Sequence, residues 1–321
     1  MSVDRPTPAG GSVHPLHDPS LKSPEAPRER LAPWLKKRLP RQDQVREVKA
    51  LVEGLDLHTV CQSARCPNLN ECWSRKAATF MILGDICTRT CRFCTVPKGK
   101  PLSLDTREPE HVAEAAAKLG LRHVVITSVD RDDLPDQGSG HFAATIEAVR
   151  KRLPDSVIEV LTPDFRGDAD CADRVADAGP DIFNHNLETV PRLYKRVRPG
   201  AGYQRSLDLL ARVKERHPEQ FTKSGLMLGL GEGEEELGQV LADLRAHGVD
   251  ILTLGQYLRP TLAQLPVERF IPPEEFDGWR DRALAMGFKA AACGPFVRSS
   301  YNAEAVYGML GARSGAGSDS V

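Results

Sequence analysis

The sequence lacks the long apolar run that a membrane-spanning helix needs. No stretch in its 321 residues approaches the roughly 20 consecutive apolar residues that cross a bilayer. The first residues, MSVDRPTPAGGSVHP, contain neither an apolar signal core nor an Arg-rich amphipathic pattern. We therefore expect a cytoplasmic protein that has no membrane partner.

The sequence also lacks an excess of charge of either sign. Its 43 Lys and Arg residues are balanced by 44 Asp and Glu residues, which gives a formal net charge of −1. No overall field therefore favours nucleic acid, and we expect no nucleic-acid partner. Hydrophobic residues make up 40% and charged residues 27% of the chain, as is usual for a soluble globular protein.

The positions of the cysteines are not those expected of a disulfide-stabilised domain. Six of the eight cysteines lie between positions 61 and 94, and the chain is far longer than the small secreted domains that disulfides stabilise. Clustered cysteines in an intracellular enzyme are more often metal ligands or catalytic groups. Cys171 and Cys293 lie outside this cluster, and neither is needed as a ligand.

Short apolar runs alternate with helical patterns through the middle of the chain. Six such β-then-α units predict a parallel sheet with right-handed crossovers. An incomplete barrel of six strands fits better than a flat doubly wound sheet. In both architectures the chemistry takes place at the carboxyl ends of the strands. The predicted strands are 80–83, 123–127, 157–161, 181–185, 225–230 and 251–254, and the predicted helices are 109–119, 140–152, 169–178, 205–216, 234–247 and 274–286.

The composition and the motifs divide the chain into five predicted segments. Residues 1–40 contain eight prolines and few periodic apolar positions, so we expect a disordered or draped arm. Residues 41–78 form an extension with one cysteine group, and residues 79–288 form the partial barrel. Residues 289–308 form a C-terminal segment that contains the motif RSSY, and residues 309–321 are expected to be a disordered tail.

One cysteine group directly follows the first predicted strand. The segment GDICTRTCRFCTV places Cys87, Cys91 and Cys94 at the spacing C-x3-C-x2-C. Iron–sulfur clusters are usually held by four cysteine thiolates, so three local thiolates leave one iron open, as catalysis requires. A zinc site and a purely structural cluster are the alternatives, although zinc sites usually show paired Cys or Cys/His spacing.

This spacing, with Phe93 before the last cysteine, resembles the signature of the radical S-adenosylmethionine superfamily. In that superfamily the open iron binds the methionine part of S-adenosylmethionine, and one electron releases a 5′-deoxyadenosyl radical that abstracts hydrogen. The resemblance implies that the cofactor is bound by Asn186 and Glu188, after the fourth strand, and by Gly229 and Gly231, after the fifth. Loop hydrogen bonding is the alternative role of the two polar residues.

A second cysteine group precedes the first predicted strand. The segment CQSARCPNLNECW places Cys61, Cys66 and Cys72 at the spacing C-x4-C-x5-C. The stretch is polar and contains proline, so we expect it to be a loop. Three further thiolates indicate a second metal centre, with zinc or three unligated thiols as alternatives.

The two cysteine groups together resemble the lipoyl synthase family, and the resemblance covers about residues 33–305. It includes TSVDRDDL, PDFRGD, FNHNLETV, KSGLMLGLGE, LGQYLRP and GPFVRSSY. It implies that a serine of RSSY is the fourth ligand of the second cluster, namely Ser300, with Ser299 as the adjacent possibility. Without the resemblance, this motif is typical of a loop or a helix cap.

The resemblance also implies the reaction. A family member is a sulfurtransferase that inserts sulfur at C6 and C8 of an octanoyl chain on a lipoyl carrier domain, and its auxiliary 4Fe–4S cluster is the consumed sulfur donor. The implied partners are the E2 subunit of a 2-oxoacid dehydrogenase or the glycine cleavage H protein, an electron donor such as flavodoxin or ferredoxin, and a cluster-repair carrier. The alternatives are a radical enzyme whose second cluster relays electrons or anchors substrate, and a structural metal module.

Overall fold

A computed structural model of the chain describes residues 31–36 and 42–314. Residues 31–36 belong to a separate unit and contain a 3-10 turn, Pro33–Leu35, that starts with proline. The rest of the predicted arm and residues 315–321 lie outside the described residues. Within the described ranges, no helix is both long enough and apolar enough to cross a bilayer.

Eight strands form one sheet in which each strand pairs with the next one along the chain. The first two strands pair antiparallel, and every later pair among the described strands is parallel. Parallel strands covered on both faces are apolar throughout, which explains the continuous apolar runs in the sequence. The strands are β1 (His58–Thr59), β2 (Thr79–Ile82), β3 (His123–Ser128), β4 (Val157–Leu161), β5 (Ile182–Asn184), β6 (Phe221–Leu228), β7 (Ile251–Gln256) and β8 (Ala290–Gly294).

Helices cover the outside of the sheet and bury one apolar face each. In the helix after β6, Leu237, Val240, Leu241 and Leu244 are buried, as their spacing predicts. The helices are α1 (Gln42–Gly54), α2 (Val60–Ser63), α3 (Leu69–Ser74), α4 (Glu108–Leu119), α5 (Ser139–Arg152), α6 (Ala169–Asp177), α7 (Tyr194–Val197), α8 (Tyr203–Arg216), α9 (Glu234–Ala246), α10 (Pro273–Ala285) and α11 (Ala303–Ser314).

The predicted α/β partial barrel is confirmed, and the sheet is larger than predicted. All six predicted strands are present, and no pairing joins the first strand to the last among the described residues. The sheet continues past residue 288, the predicted end of the barrel, because β8 pairs in parallel with β7. The sequence of β8, AAACG, lacks the β-branched residues that are typical of strands.

Two local predictions are wrong. The second cysteine group is not a loop, because α2 carries Cys61 and α3 carries Cys72. The tail is not disordered from residue 309, because α11 continues to residue 314. Val306 and Leu310 of α11 pack against Ile182 and other residues that begin the strands, so burial of apolar surface stabilises this helix.

The chain between β8 and α11 runs back along the inside of the sheet. It starts at Gly294, at the carboxyl end of β8, and reaches α11, which covers the amino ends of the strands. On the way it lies against β7 at Gly255 and against β6 at Gly225. This stretch, residues 295–302, contains the motif RSSY and is called the return segment below.

Candidate active site

The first cysteine group lies in the loop between β2 and α4, where main-chain N–H groups point at its sulfur atoms. The N–H groups of Arg89 and Asp130 each lie 3.4 Å from Cys87 Sγ. The N–H of Val96 lies 3.5 Å from Cys94 Sγ. Such donors stabilise the negative charge of a cluster thiolate and help to set its reduction potential. The donor set therefore fits a thiolate-ligated iron–sulfur cluster.

Burial keeps these three thiols protonated while no metal is bound. It raises the pKa of Cys87 to about 11 and that of Cys91 to about 12, and it also raises the pKa of Cys94. The cation of Arg198 opposes the shift at Cys91. Metal ligation requires the thiolate form. Binding of iron would therefore displace these protons, and its positive charge would offset the cost of burying thiolates.

A buried arginine in the same loop forms ion pairs with carboxylates that follow β3 and β4. The Arg89 guanidinium lies 3.2 Å from Asp130 Oδ1, 2.9 Å from Asp132 Oδ1 and 2.6 Å from Asp164 Oδ1. Burial alone would raise the pKa of Asp164, but the positive charge of Arg89 lowers it. Arg89 therefore joins the cysteine loop to the loops after β3 and β4.

Replacing Arg89 with methionine is expected to destabilise the cluster-free protein by about 3–5 kcal/mol, because it leaves buried carboxylates without their cation. Urea denaturation measures this change. The matched control is Arg212→Met, which removes an exposed arginine that is paired with Asp173. We expect that control to cost less than about 1 kcal/mol. Equal losses in the two variants would contradict a role for Arg89 in fastening the loop.

Polar groups surround the most buried thiol of the second group. Burial raises the pKa of Cys61 to about 11, while the main chain of Thr79 and the indole of Trp73 act to lower it. The buried Trp73 Nε1 has no oxygen or nitrogen partner among the described residues. An indole N–H without such a partner, directed at a thiol, suits a sulfur atom that carries negative charge. This site therefore also fits a thiolate cluster.

The return segment meets the second cysteine group from the other end of the chain. Asn68 Nδ2 donates to the Phe296 carbonyl at 2.7 Å, across 228 sequence positions. Tyr301 Oη donates to Glu71 Oε1 at 2.8 Å, across 230 positions. These two contacts place RSSY beside the residues that flank the cysteines.

Charges on the return segment also lie close to the cysteines of the second group. Burial lowers the pKa of Arg298, while the carboxylate of Glu188 raises it and a thiolate at Cys66 would raise it further. Burial raises the pKa of Tyr301 to about 12, and a thiolate at Cys72 would raise it further. Ser299 and Ser300 therefore lie between one residue near Cys66 and one near Cys72.

The two cysteine groups adjoin one another. Thr95, next to Cys94, donates its hydroxyl to the Ser63 carbonyl at 2.7 Å. Ser63 ends α2, the helix that carries Cys61. The loop that carries the first group is therefore in direct contact with the helix that carries Cys61.

Two glycines in neighbouring strands let the return segment lie directly on the sheet. A Cβ on Gly225 would come within 2.9 Å of Asn186 Oδ1 and 3.2 Å of Ser299 Oγ. A Cβ on Gly255 would overlap the Val297 carbonyl. Any side chain at Gly225 or Gly255 would therefore displace the return segment from its position against the strands.

Asn186 and Glu188 lie together at the carboxyl end of β5, as predicted. Asn186 Nδ2 donates to Glu188 Oε1 at 3.0 Å, and it contacts Ser299 Oγ at 2.6 Å. Burial raises the pKa of Glu188, while Arg198 lowers it. Glu188 also has a left-handed backbone, with a φ of 67°. Such strain in a non-glycine residue is commonly found at ligand-binding sites.

Gly229 and Gly231 adopt backbone conformations that favour glycine. Their φ angles are 101° and 104°, which residues with a side chain rarely adopt. A Cβ on Gly229 would also overlap the Arg269 carbonyl and the Gln256 amide. The turn and the close packing of the loop therefore account for both glycines without a ligand.

No three His, Cys, Asp or Glu side chains in the described part of the chain come close enough together to hold a single metal ion. A structural zinc site needs four such ligands around one ion. In an iron–sulfur cube each thiolate binds a different iron, so its thiolates are spaced more widely. The described residues therefore do not form a ready-made zinc site.

Several residues of the site carried no clear signal in the sequence. Arg89 lies inside the first motif and Trp73 directly follows Cys72, so their positions could have indicated contact with the ligands. Arg198 follows a short helix and lacked any such pattern.

Two family models match the chain. The model of the radical SAM superfamily matches residues 81–244, and that of the N-terminal domain of lipoyl synthase matches residues 12–66. Lipoyl synthase of Nitrosococcus oceani is 54% identical over 315 residues, which cover 95% of this chain and 97% of that protein. The chain belongs to the lipoyl synthase family.

Other comparisons agree with membership of the lipoyl synthase family. Lipoyl synthase of Thiobacillus denitrificans is 58% identical over 278 residues, which cover 86% of this chain and 89% of that protein. The crystal structure of Streptococcus suis SuiB bound to precursor peptide SuiA has a TM-score of 0.50. At 12% identity, covering 70% of this chain and 49% of that one, it supports the fold alone.

Membership settles the class of the protein. It is a sulfur-inserting radical enzyme that uses S-adenosylmethionine and 4Fe–4S clusters, as the sequence resemblance implied. The competing interpretation as a structural metal module is therefore wrong.

Proposed function

We propose that this chain inserts two sulfur atoms, at C6 and C8, into an octanoyl chain that is attached to a lipoyl carrier protein. The observation that carries the proposal is the meeting of the return segment with the second cysteine group, through Asn68 with Phe296 and Glu71 with Tyr301. An electron relay would not need a serine-bearing segment from the far end of the chain beside its cysteines. A sulfur-donating cluster needs one labile ligand, and the serine-bearing return segment could supply that ligand.

The proposal divides the two clusters between the two cysteine groups. Cys87, Cys91 and Cys94 hold the cluster that binds S-adenosylmethionine, and Asn186 with Glu188 contacts the cofactor. When bound, these groups supply a radical that removes hydrogen from a carbon atom, and the second cluster supplies sulfur. The ligands of the second cluster are Cys61, Cys66, Cys72 and Ser300.

Hydrogen bonding favours Ser300 over Ser299 as the fourth ligand of the second cluster. The Ser299 hydroxyl bonds to the Asn186 amide on the face of β6. No described residue forms a hydrogen bond with the Ser300 hydroxyl, which is therefore available to a metal. An alkoxide is a harder ligand than thiolate, and its release would suit a cluster that loses sulfur.

The acidic residues near the site are engaged in ion pairs. Arg131 binds both carboxylate oxygens of Asp133 at 2.9 Å and the Leu83 carbonyl at 3.1 Å. Asp130 and Asp132 bind Arg89. Because an aliphatic C–H has no acidic proton, these carboxylates have no general-base task. Their role is to hold the loops around the cysteines.

The proposal extends to the domains and to the partners. Residues 41–78 and 289–308 supply the two halves of the second cluster site, and residues 79–288 supply the radical site. The carrier is the E2 subunit of a 2-oxoacid dehydrogenase or the glycine cleavage H protein. Flavodoxin or ferredoxin supplies the electron, and a cluster-repair carrier rebuilds the donor.

The test is an anaerobic incubation of the reconstituted full chain with S-adenosylmethionine, a reductant and an octanoyl-lysine peptide. We expect 5′-deoxyadenosine and a peptide that carries two new sulfur atoms, and mass spectrometry detects both. The yield should be limited by the amount of cluster-loaded chain, because the donor is consumed. Deoxyadenosine beside an unmodified peptide would favour a relay or anchor function for the second cluster.

A further inference from the structure

A buried lysine connects the interior of the barrel to the return segment. The Lys223 side chain, on β6, is 1% exposed, and its Nζ lies 2.8 Å from Glu159 Oε1 on β4. The Glu159 side chain is fully buried, and it also accepts from Asn184 Nδ2 at 3.1 Å and contacts His123 Nε2 at 3.2 Å. The lysine therefore has its counter-charge inside the barrel.

Burying this ion pair inside the barrel carries a large desolvation cost. Removing two charges from water costs several kcal/mol per ion, and apolar residues of similar size often give equal or greater stability. Stability alone therefore does not explain why Lys223 and Glu159 are charged. A second contact of the ammonium group offers a reason.

Lys223 Nζ also donates to the main-chain carbonyl of Ser299 at 2.6 Å, across 76 sequence positions. That oxygen belongs to the peptide group that joins Ser299 to Ser300. Because a peptide group is planar and rigid, holding its oxygen limits the positions that the Ser300 nitrogen and Cα can take. Charge-assisted hydrogen bonds are short and strong, so this contact defines the position well.

We propose that Lys223, supported by Glu159, is a positioning residue that sets the direction from which the Ser300 hydroxyl approaches the second cluster. The inference rests on the proposed function, because it takes Ser300 as the fourth ligand. The Lys223 side chain is buried, and its ammonium group contacts Glu159 and the Ser299 carbonyl. It acts through the peptide group of the return segment.

The first test removes the ammonium group without leaving a buried carboxylate unpaired. The double variant Lys223→Met/Glu159→Gln is made in the full chain with Cys87, Cys91 and Cys94 replaced by alanine, so that all bound iron reports on the second site. Mössbauer spectra are compared with those of Ser300→Ala in the same background. We expect both variants to lose the distinct signal of the iron that is bound by oxygen.

The matched control is Asn184→Ala, which removes another hydrogen bond to Glu159 without touching the return segment. We expect its Mössbauer spectrum to match that of the parent. If Ser300→Ala changes the spectrum while the double variant keeps it, the positioning role is wrong and the ligand assignment stands. If Ser300→Ala leaves the spectrum unchanged, the ligand assignment itself fails, and the inference fails with it.

The second test needs no bound cluster. Hydrogen exchange of residues 296–302 is followed by mass spectrometry in the cluster-free full chain. Loss of a hydrogen bond to a charged group should speed this exchange by about tenfold or more in the double variant. Unchanged exchange would overturn the proposal.

The proposal can still be tested if the double variant fails to fold. In that case Lys223→Met/Glu159→Met replaces it, because an apolar pair is often tolerated where an ion pair is buried. The wild-type chain gives an independent answer as well. If its residues 296–302 exchange as fast as an unstructured peptide without a cluster, Lys223 does not position them.

Discussion

Replacing Cys61 with alanine is expected to abolish sulfur insertion while S-adenosylmethionine is still cleaved, whereas Cys91→Ala abolishes both. Cys61 belongs to α2, and Cys91 belongs to the loop between β2 and α4. Each variant therefore removes a ligand from one group and leaves the other group complete. The measurements are the amounts of 5′-deoxyadenosine and of sulfur-containing peptide formed under anaerobic conditions.

The control for this pair is Cys171→Ala. Cys171 is buried in α6 and contacts the Asp136 carbonyl at 3.2 Å, away from both motifs. We expect it to retain both activities when it is reconstituted in parallel. Equal residual cleavage in Cys61→Ala and Cys91→Ala would contradict the division of labour between the two groups.

A single methyl group at Gly255 is expected to separate the two activities as well. An alanine there would overlap the Val297 carbonyl and come within 3.1 Å of the Arg298 guanidinium. Because main chain cannot move aside as a flexible side chain can, the return segment must shift. A displacement of about 1 Å can lower a rate about 100-fold. We therefore expect sulfur insertion to fall by about that factor, while cofactor cleavage changes little.

Gly278→Ala is the matched control, because a Cβ on Gly278 meets no atom within 4 Å. It lies inside α10, where alanine is a better helix former than glycine. Both variants should be assayed with the octanoyl peptide and compared by thermal unfolding. Sulfur insertion at the wild-type rate in Gly255→Ala would show that the return segment need not lie against β7.

The fold could be predicted because parallel strands that are buried on both faces leave a simple pattern. The runs at 123–127 and 251–254 are continuous and rich in β-branched residues or leucine, and both became strands. The strand at 290–294 was missed because alanine and glycine carry little strand preference. Its pairing with β7 stabilises it, and a local sequence pattern contains no information about such a partner.

The cysteines could be found because ligands to one cluster lie close together in sequence. The contacts that complete the site could not, because they join distant positions. The hydrogen bond from Asn68 to Phe296 and the one from Lys223 to Ser299 depend on how the whole barrel folds. Only the family resemblance indicated a role for Ser300, and neither it nor the spacing pointed to Lys223.

The path of the return segment has a consequence for how the protein matures. Ribosomes synthesise the chain from its amino end, so the three cysteines of each group and strands β1 to β7 emerge before residues 295–302. The cysteines of both groups are therefore present on a nascent chain, but with Ser300 as the proposed fourth ligand the donor site stays one ligand short until residues 295–302 have been synthesised. Under the proposed assignment, completion of the sulfur-donating cluster would follow synthesis of all eight described strands.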